Sequence, residues 1–299
     1  MRYKNTLLVI IILIILVALF GSINNRKTEK LSQTQKELSF FETSTIEARA
    51  VYIYDVLGDR VLYEKNGNEI FPIASLTKLM TSFVALEEAP MGTIITINSD
   101  SLKKDGDTGL YPGEKWMLKK LIQFTLVTSS NDGASAIANA FNSKLETDNQ
   151  KKESFVDKMN NQSIKLGLSN TYFLNETGLD EPSGVGAYSS ARDVSILLAQ
   201  FLKKYPELLE ETSYKIRSIR SEDKIHNIEN TNKEVNKISG LLASKTGFTD
   251  LAGGNLFVAF DVGIDQPIII TVLGSTLEGR FRDVEILSNK VREYINQYR

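Results

Sequence analysis

The sequence predicts an α+β fold in which one antiparallel sheet is built from both ends of the folded region. Two β-rich segments come first, at residues 48–54 and 61–63. Three more lie near the end, at residues 242–249, 256–262 and 268–273. Most of the chain between them shows helical spacing of apolar residues. Strands, then helices, then strands and a last helix are typical of an α+β domain with a helical insert.

Local signals justify each early element in chain order. Leu57-Gly58-Asp59 is a turn that joins the first two segments into a hairpin. Apolar residues at helical spacing predict a helix from about Ser75 to Glu88, followed by a short strand at residues 93–97. Residues 98–113 form a loop rich in Gly and Asp, whose acidic residues do not continue into the spaced ligand series of a calcium loop.

The middle of the chain carries a series of amphipathic stretches. The expected helices span residues 116–127, 132–141, 154–166 and 191–204, with a last helix from about Arg280. Gly167 is a C-cap for the third helix, and Ser189 or Ser190 is the N-cap of the fourth. Residues 215–219 are a candidate strand, and residues 220–239 are expected to be irregular.

The N-terminal part differs in composition from the rest. A basic start precedes an unbroken apolar run from Leu7 to Phe20. With its flanks, residues 6–23, the run is just long enough for a bilayer, which takes about 17–25 residues. We expect a transmembrane signal-anchor over residues 1–23. A cleaved signal peptide is the alternative, but the large Phe20 suits a cleavage site poorly.

Residues 24–45 are polar and are expected to be a tether, so that residues 46–299 form the folded domain. Because basic residues flank the apolar run on both sides, the positive-inside rule gives almost no indication of its orientation in the membrane. The short N-terminal flank and the large downstream domain favour a single-pass cell-membrane protein whose domain is extracytoplasmic, on the periplasmic or cell-wall side.

Composition excludes several classes of function. A net charge of −2 gives no support for a nucleic-acid partner. Without cysteine, the chain has no disulfide, no thiolate zinc site and no thiol nucleophile. Any Ser-His-Asp triad would have to use His226, the one histidine of the sequence, and a His-rich metal site is not possible. If the protein is a hydrolase, its base is therefore expected not to be histidine.

Ser75 and Lys78 are the first candidates for chemistry. Ser75 is predicted at a helix N-terminus, with Lys78 one turn along the same face. A serine hydroxyl is a weak nucleophile until a base takes its proton, and a neutral lysine amine can be that base. The alternative is ordinary: Ser75 as an N-cap and Lys78 as a solvated helix residue.

Two further stretches offer side chains of matching chemistry. Ser129 and Asn131 lie between two predicted helices, where loops commonly present functional groups. Lys245, Thr246 and Gly247 lie in a predicted strand, where a cation and a hydroxyl could bind a carboxylate and glycine lets backbone approach closely. Each stretch alone is also a common capping or strand-end sequence.

The three stretches together carry a family signature: Ser-x-x-Lys, Ser-x-Asn and Lys-Thr-Gly, in that order, on helix, loop and strand. The sequence resembles the serine penicillin-recognising enzymes and, more closely, the D-alanyl-D-alanine carboxypeptidases of peptidase family S11. The closer resemblance is carried by residues 72–81, 129–134, 166–173, 177–179, 188–193 and 245–253. It implies a β-lactamase/transpeptidase-like fold with N- and C-terminal helices beside the sheet and a helical subdomain.

The resemblance also implies a role for each site residue. Ser75 would be the nucleophile that forms an acyl-enzyme, and Lys78 the base. Ser129 would relay a proton to the leaving nitrogen, and Asn131 would hold Lys78 and the substrate amide. The remaining expected roles are carboxylate binding by Lys245 and Thr246 with help from Arg280, and an oxyanion hole from the backbone N–H groups of Ser75 and Phe248, next to Gly247.

The implied reaction is removal of the terminal D-alanine from peptidoglycan stem peptides that end in D-Ala-D-Ala, without metal or cofactor. β-Lactams would be covalent inhibitors. The alternatives are a class A-like β-lactamase, whose deacylating Glu would be Glu176 or Glu181, a D,D-endopeptidase, and a non-catalytic wall-binding or β-lactam-sensing module. His226 is interpreted as a packing residue.

Overall fold

The computed structural model describes residues 20, 40–42, 45–103, 109–142, 153–182 and 184–298. The chain divides into two units, Met1–Thr45 and Ile46–Arg299. The predicted membrane anchor, residues 6–23, and the predicted tether, residues 24–45, lie almost wholly outside the described residues. Within the described part of the chain, no helix is long and apolar enough to cross a membrane.

The larger unit is organised around a five-stranded sheet with the order β10-β11-β12-β1-β2, all neighbours antiparallel. Its strands are β1 (Ala50–Asp55), β2 (Arg60–Lys65), β10 (Leu241–Thr249), β11 (Gly253–Asp261) and β12 (Pro267–Ser275). Because β1 pairs with β12, with Ala50 opposite Leu273, strands from both ends of the domain meet inside one sheet. The predicted α+β fold and the origin of its sheet are confirmed.

Smaller strands and the helices complete the described elements. The other strands are β3 (Phe71–Pro72), β4 (Ile94–Thr96), β5 (Lys115–Met117), β6 (Tyr172–Phe173), β7 (Ala187–Ser189), β8 (Ile216–Arg220) and β9 (Ile225–Glu229). The helices are α1 (Lys78–Glu88), α2 (Leu118–Thr128), α3 (Asn131–Phe141), α4 (Phe155–Lys165), α5 (Ala191–Lys204), α6 (Pro206–Leu209) and α7 (Gly279–Tyr298). Short 3₁₀ helices lie at Ala74–Thr77, Ser99–Lys103, Glu210–Ser213 and Val235–Lys237.

The sheet is buried on both faces because its side chains alternate between two apolar layers. Ile269 and Leu273 of β12 belong to the largest cluster of buried apolar side chains in the described residues. Ile268 and Ile270, on the opposite face of the strand, are equally buried but do not belong to that cluster. Helix α5 packs on β12 and β1, and helix α7 packs on β12 and β11. The central strands therefore have nearly continuous apolar sequences, without an alternation of apolar and polar residues.

Asp283 of α7 connects the start of the domain to its end through hydrogen bonds. Its buried carboxylate accepts hydrogen bonds from the backbone N–H groups of Glu47 and Ala48, each at 2.8 Å. The hydroxyl of Ser275 donates to the same carboxylate at 2.6 Å. These three bonds fix the entry of β1 beside the C-terminal helix.

Two expectations about secondary structure are wrong. Trp116 lies in β5 rather than in a helix, because residues 115–117 pair with β4 and helix α2 begins only at Leu118. Residues 220–239 are not irregular throughout, because β9 pairs with β8 as a hairpin. In both places a tertiary partner decides the conformation, and the local pattern does not show it.

Candidate active site

Ser75 lies in the 3₁₀ helix Ala74–Thr77, which runs directly into α1. Its side chain caps neither helix, so the N-cap interpretation of Ser75 is wrong. Ala74 has φ of +48°, a left-handed conformation that is uncommon for a residue with a side chain. Residues in such strained backbone conformations cluster at functional sites.

Lys78 is completely buried, so the interpretation as a solvated residue is also wrong. Its Nζ lies 2.8 Å from each of three oxygens: Oγ of Ser75, Oδ1 of Asn131 and the carbonyl of Thr177. The amide oxygen and the carbonyl can only accept. A neutral amine has two N–H groups and one lone pair. The ammonium form of Lys78 donates to all three oxygens, whereas the neutral form donates to the two acceptors and has its lone pair left for the Ser75 hydroxyl.

The charge state of Lys78 follows from its surroundings. Burial lowers the pKa of Lys78 to about 7, although the negative charge of Glu176 acts in the opposite direction. Burial disfavours an ammonium ion because the protein interior solvates it poorly. A substantial fraction of Lys78 is therefore neutral near pH 7 and able to take a proton.

Ser129 and Lys245 form a second pair. Ser129 ends α2 with φ of +60°, and Lys245 Nζ donates to its Oγ at 2.7 Å. Lys245 also donates to the carbonyl of Thr246 at 2.7 Å. Burial, together with the charges of Lys78 and Arg280, holds the pKa of Lys245 well below its usual range. The positive charge of Lys78 thus reduces the tendency of Lys245 to be charged.

Asn131 reaches the site because α3 begins there. Ser130 caps this helix through a hydrogen bond from the N–H of Gly133 at 2.8 Å. The cap sets Asn131 in the first turn, where its Oδ1 meets Lys78. The turn from α2 to α3 therefore presents Ser129 to Lys245 and Asn131 to Lys78.

Strand β10 supplies the other predicted residues. A Cβ on Gly247 would lie 2.7 Å from the carbonyl of Ile73, so only glycine lets the strand approach the segment that carries Ser75. Phe248, the next residue, has a partly exposed side chain. Thr246 donates its hydroxyl to that of Thr231 at 2.7 Å.

Arg280 lies under the same strand. Its Nη1 donates to the carbonyl of Gly247 at 2.8 Å, and the side chain is almost fully buried. Burial lowers the pKa of Arg280 to about 10, although Glu278 opposes the change, so the guanidinium remains a cation near neutral pH. Its Nε has no hydrogen-bond partner among the described residues.

Sequence reasoning missed Thr177 and Thr231. The first contributes a carbonyl to Lys78, and the second a hydroxyl to Thr246. Neither has a spaced motif, although Thr177-Gly178-Leu179 lies in a segment that carried the family resemblance. No group of three or more acidic or histidine side chains in the described part of the chain could hold a metal ion.

The sequence that carries this site is similar to that of known carboxypeptidases and endopeptidases. The family model for D-alanyl-D-alanine carboxypeptidase, peptidase S11, matches residues 33–276. D-alanyl-D-alanine carboxypeptidase DacF of Bacillus subtilis (strain 168) is 30% identical over 93% of this chain and 68% of the relative. A D-alanyl-D-alanine endopeptidase of Pseudomonas aeruginosa is 30% identical over 72% of this chain and 67% of the relative.

A solved structure agrees with the sequence comparison. Penicillin-binding protein D2 from Listeria monocytogenes, in its ampicillin-bound form, is 30% identical and superposes with a TM-score of 0.67. The match covers 83% of this chain and 98% of that one. The β-lactamase/transpeptidase-like architecture expected from the sequence is therefore confirmed.

Proposed function

Because the chain belongs to the D-alanyl-D-alanine carboxypeptidase family, peptidase S11, we propose that it removes the terminal D-alanine of peptidoglycan pentapeptides through an acyl-enzyme on Ser75. One observation carries the proposal: Ser75 Oγ lies 2.8 Å from the buried amine of Lys78. The other two neighbours of that amine are acceptors, so the lone pair of the neutral amine is left for the serine. The arrangement is that of a nucleophile next to its base.

The reaction proceeds in two halves. Lys78 takes the hydroxyl proton of Ser75 while Oγ attacks the carbonyl carbon of the D-Ala-D-Ala peptide bond. The C–N bond then breaks, the leaving D-alanine nitrogen receives a proton through Ser129, and an ester on Ser75 remains. Water attacks this ester, returns the hydrogen to Ser75 and releases the shortened peptide.

Substrate binding would use polar side chains near the serine, where a bound carboxylate would favour the charged form of Lys245. Lys245, Thr246 and Arg280 would hold the terminal carboxylate, which is why the reaction would be limited to the chain end of the stem peptide. The backbone N–H groups of Ser75 and Phe248 would stabilise the tetrahedral oxyanion. One such donor is worth about 3–4 kcal/mol in other enzymes. β-Lactams would acylate Ser75 by the same steps and act as covalent inhibitors.

The test is to treat a protein beginning near residue 45 with a fluorescent penicillin and, separately, with a D-Ala-D-Ala peptide. We expect a label on Ser75 and release of D-alanine. Ser75→Ala should abolish both signals, and Lys78→Ala should slow acylation by about 10²–10⁴-fold, the range for loss of a general base. Absence of both label and D-alanine in the unmodified protein would refute the proposal, and normal acylation by Lys78→Ala would refute the base.

D,D-Endopeptidase activity on cross-links is a second candidate, because the P. aeruginosa relative carries that name. Parallel assays with a cross-linked dimer and a pentapeptide distinguish the two. A class A-like β-lactamase would turn penicillin over rapidly, whereas we expect a long-lived acyl-enzyme. A wall-binding or β-lactam-sensing module would not release D-alanine at all.

We also propose that residues 6–23 anchor the protein as a single-pass segment and that the domain acts on the extracytoplasmic side. The support is the apolar run from Leu7 to Phe20 and the expected location of a peptidoglycan substrate. Extraction of membranes with alkaline carbonate, followed by N-terminal sequencing, tests this. Release of the protein into the soluble fraction, or a mature N-terminus beyond residue 23, would contradict the anchor.

A further inference from the structure

The turn that follows β6 is tied together by one buried side chain, Asn175. Its Oδ1 accepts from the N–H of Thr177 at 3.2 Å, from the hydroxyl of Thr177 at 3.1 Å and from the N–H of Gly178 at 2.7 Å. Its Nδ2 donates to the carbonyl of Leu179 and to Oε1 of Glu181, both at 3.0 Å. Both ends of the amide are used, so the side chain fixes the whole turn.

The turn lies directly against the proposed catalytic residues. The carbonyl of Thr177 accepts from Lys78 Nζ at 2.8 Å. Gly178 has φ of +77°, and a Cβ there would lie 2.0 Å from the carbonyl of Ala74. The backbone of the turn therefore touches both the residue before Ser75 and the amine of Lys78.

We propose that Asn175 is a positioning residue for the base: it holds the carbonyl of Thr177 where that oxygen takes one N–H of Lys78. The inference rests on the proposed role of Lys78. A neutral amine directs its lone pair at Ser75 only if its two N–H groups find acceptors elsewhere. Asn131 supplies one acceptor and Thr177 the other. Without Asn175 the carbonyl of Thr177 is no longer held in place, and the lone pair of Lys78 is no longer directed at Ser75.

The turn also shields Lys78 from water. Thr177 and Gly178 are buried over the amine, and burial is the main cause of the lowered pKa of Lys78. The charged group that acts on the pKa of Lys78 is Glu176 in the same turn, and Lys245 of β10 is the nearby group whose own pKa Lys78 lowers. Glu176 is itself held, because the hydroxyl of Ser135 donates to its carboxylate. Loosening the turn admits water to the amine and favours its charged form.

The experiment measures penicillin acylation of Ser75 against pH in the unmodified protein and in Asn175→Ala. We expect a rate that rises with pH to a plateau. In Asn175→Ala we expect the plateau to fall by about 10–100-fold, a typical result of misplacing a reacting group. We also expect the rise to move to higher pH, because a more hydrated amine gives up its proton less readily.

Asn160→Ala is the matched control. Asn160 also fixes this segment, by accepting from the N–H of Phe173 at 2.8 Å and donating to its carbonyl at 2.9 Å, but the described contacts give it no route to Lys78. It should lower the thermal midpoint and leave the pH profile in place. Equal profiles for Asn175→Ala and Asn160→Ala would overturn the inference.

If Asn175→Ala does not fold, the double variant Asn175→Asp/Glu181→Gln replaces it. The carboxylate keeps the three acceptor bonds and can accept from the new amide at position 181, which avoids two carboxylates in contact, so the plateau should stay within about threefold of the original rate. A plateau that falls by about 10-fold or more would overturn the positioning role. Failure of the unmodified protein to acylate would instead refute the proposed function itself.

Discussion

Replacing Gly178 by alanine tests how closely the turn after β6 packs behind the nucleophile. The new Cβ would lie 2.0 Å from the carbonyl oxygen of Ala74 and 2.5 Å from Oγ1 of Thr77, so the backbone must move. A left-handed φ costs alanine about 1–2 kcal/mol. Overpacking adds about 1–3 kcal/mol. We therefore expect the free energy of unfolding to fall by about 2–5 kcal/mol.

Gly113→Ala separates the two contributions. Gly113 has φ of +82°, close to the +77° of Gly178, but a Cβ there meets nothing within 4 Å. It should lose only the conformational part, about 1–2 kcal/mol. The assays are denaturant unfolding and penicillin acylation, and only Gly178→Ala should acylate more slowly, because displacement of Ala74 moves Ser75. Equal losses of stability and unchanged acylation in both variants would refute the close-packing argument.

Other predictions concern charge and closure of the domain. Lys78 accepts a proton only when neutral, and its pKa is lowered to about 7, so the rate of acylation should rise with pH through about 7. Stopped-flow measurement of penicillin acylation checks this, and a rate that does not change between pH 6 and 8 would contradict it. Glu176→Gln removes the charge that raises this pKa, so the rise should move to lower pH in the same assay. Asp283→Ala leaves two backbone N–H groups and a hydroxyl without their acceptor, so chemical denaturation should show a loss of about 2–4 kcal/mol. Arg280→Gln should raise KM for a D-Ala-D-Ala peptide by about 10-fold or more and affect a C-terminally amidated analogue less; equal effects on both peptides would argue against carboxylate binding.

Much of the architecture could be predicted because long apolar segments dominate it. The strands β10 to β12 appear within three residues of their expected bounds, and the helix α5 has the bounds that were expected. The short strands β3 and β5 gave no recognisable strand pattern, and they form because a partner strand is present. The same reason explains why Trp116 was expected in a helix.

The motif residues of the site could also be predicted, but the contacts that tune them could not. The sequence alone paired Ser75 with Lys78, and the structure brings Asn131 to the same amine. Asn175 gave no signal, since a single Asn in a loop is common and its five hydrogen bonds depend on a turn that only the fold creates. The interpretation of His226 as a packing residue stays a prediction; its Nε2 lies 2.6 Å from Oε1 of buried Glu114.

The position of β1 between β12 and β2 affects how the chain can fold. Asp283 reaches back across 236 residues to Glu47, and β1 has no partner on one side until β12 exists. Contacts this distant in sequence make folding slow, because a long loop must close before they form. In a chain made from its N-terminus, the edge of β1 that β12 will cover therefore stays open until β12 has been made. Open strand edges pair with other chains, so nascent or truncated forms that lack β12 should be the ones that aggregate.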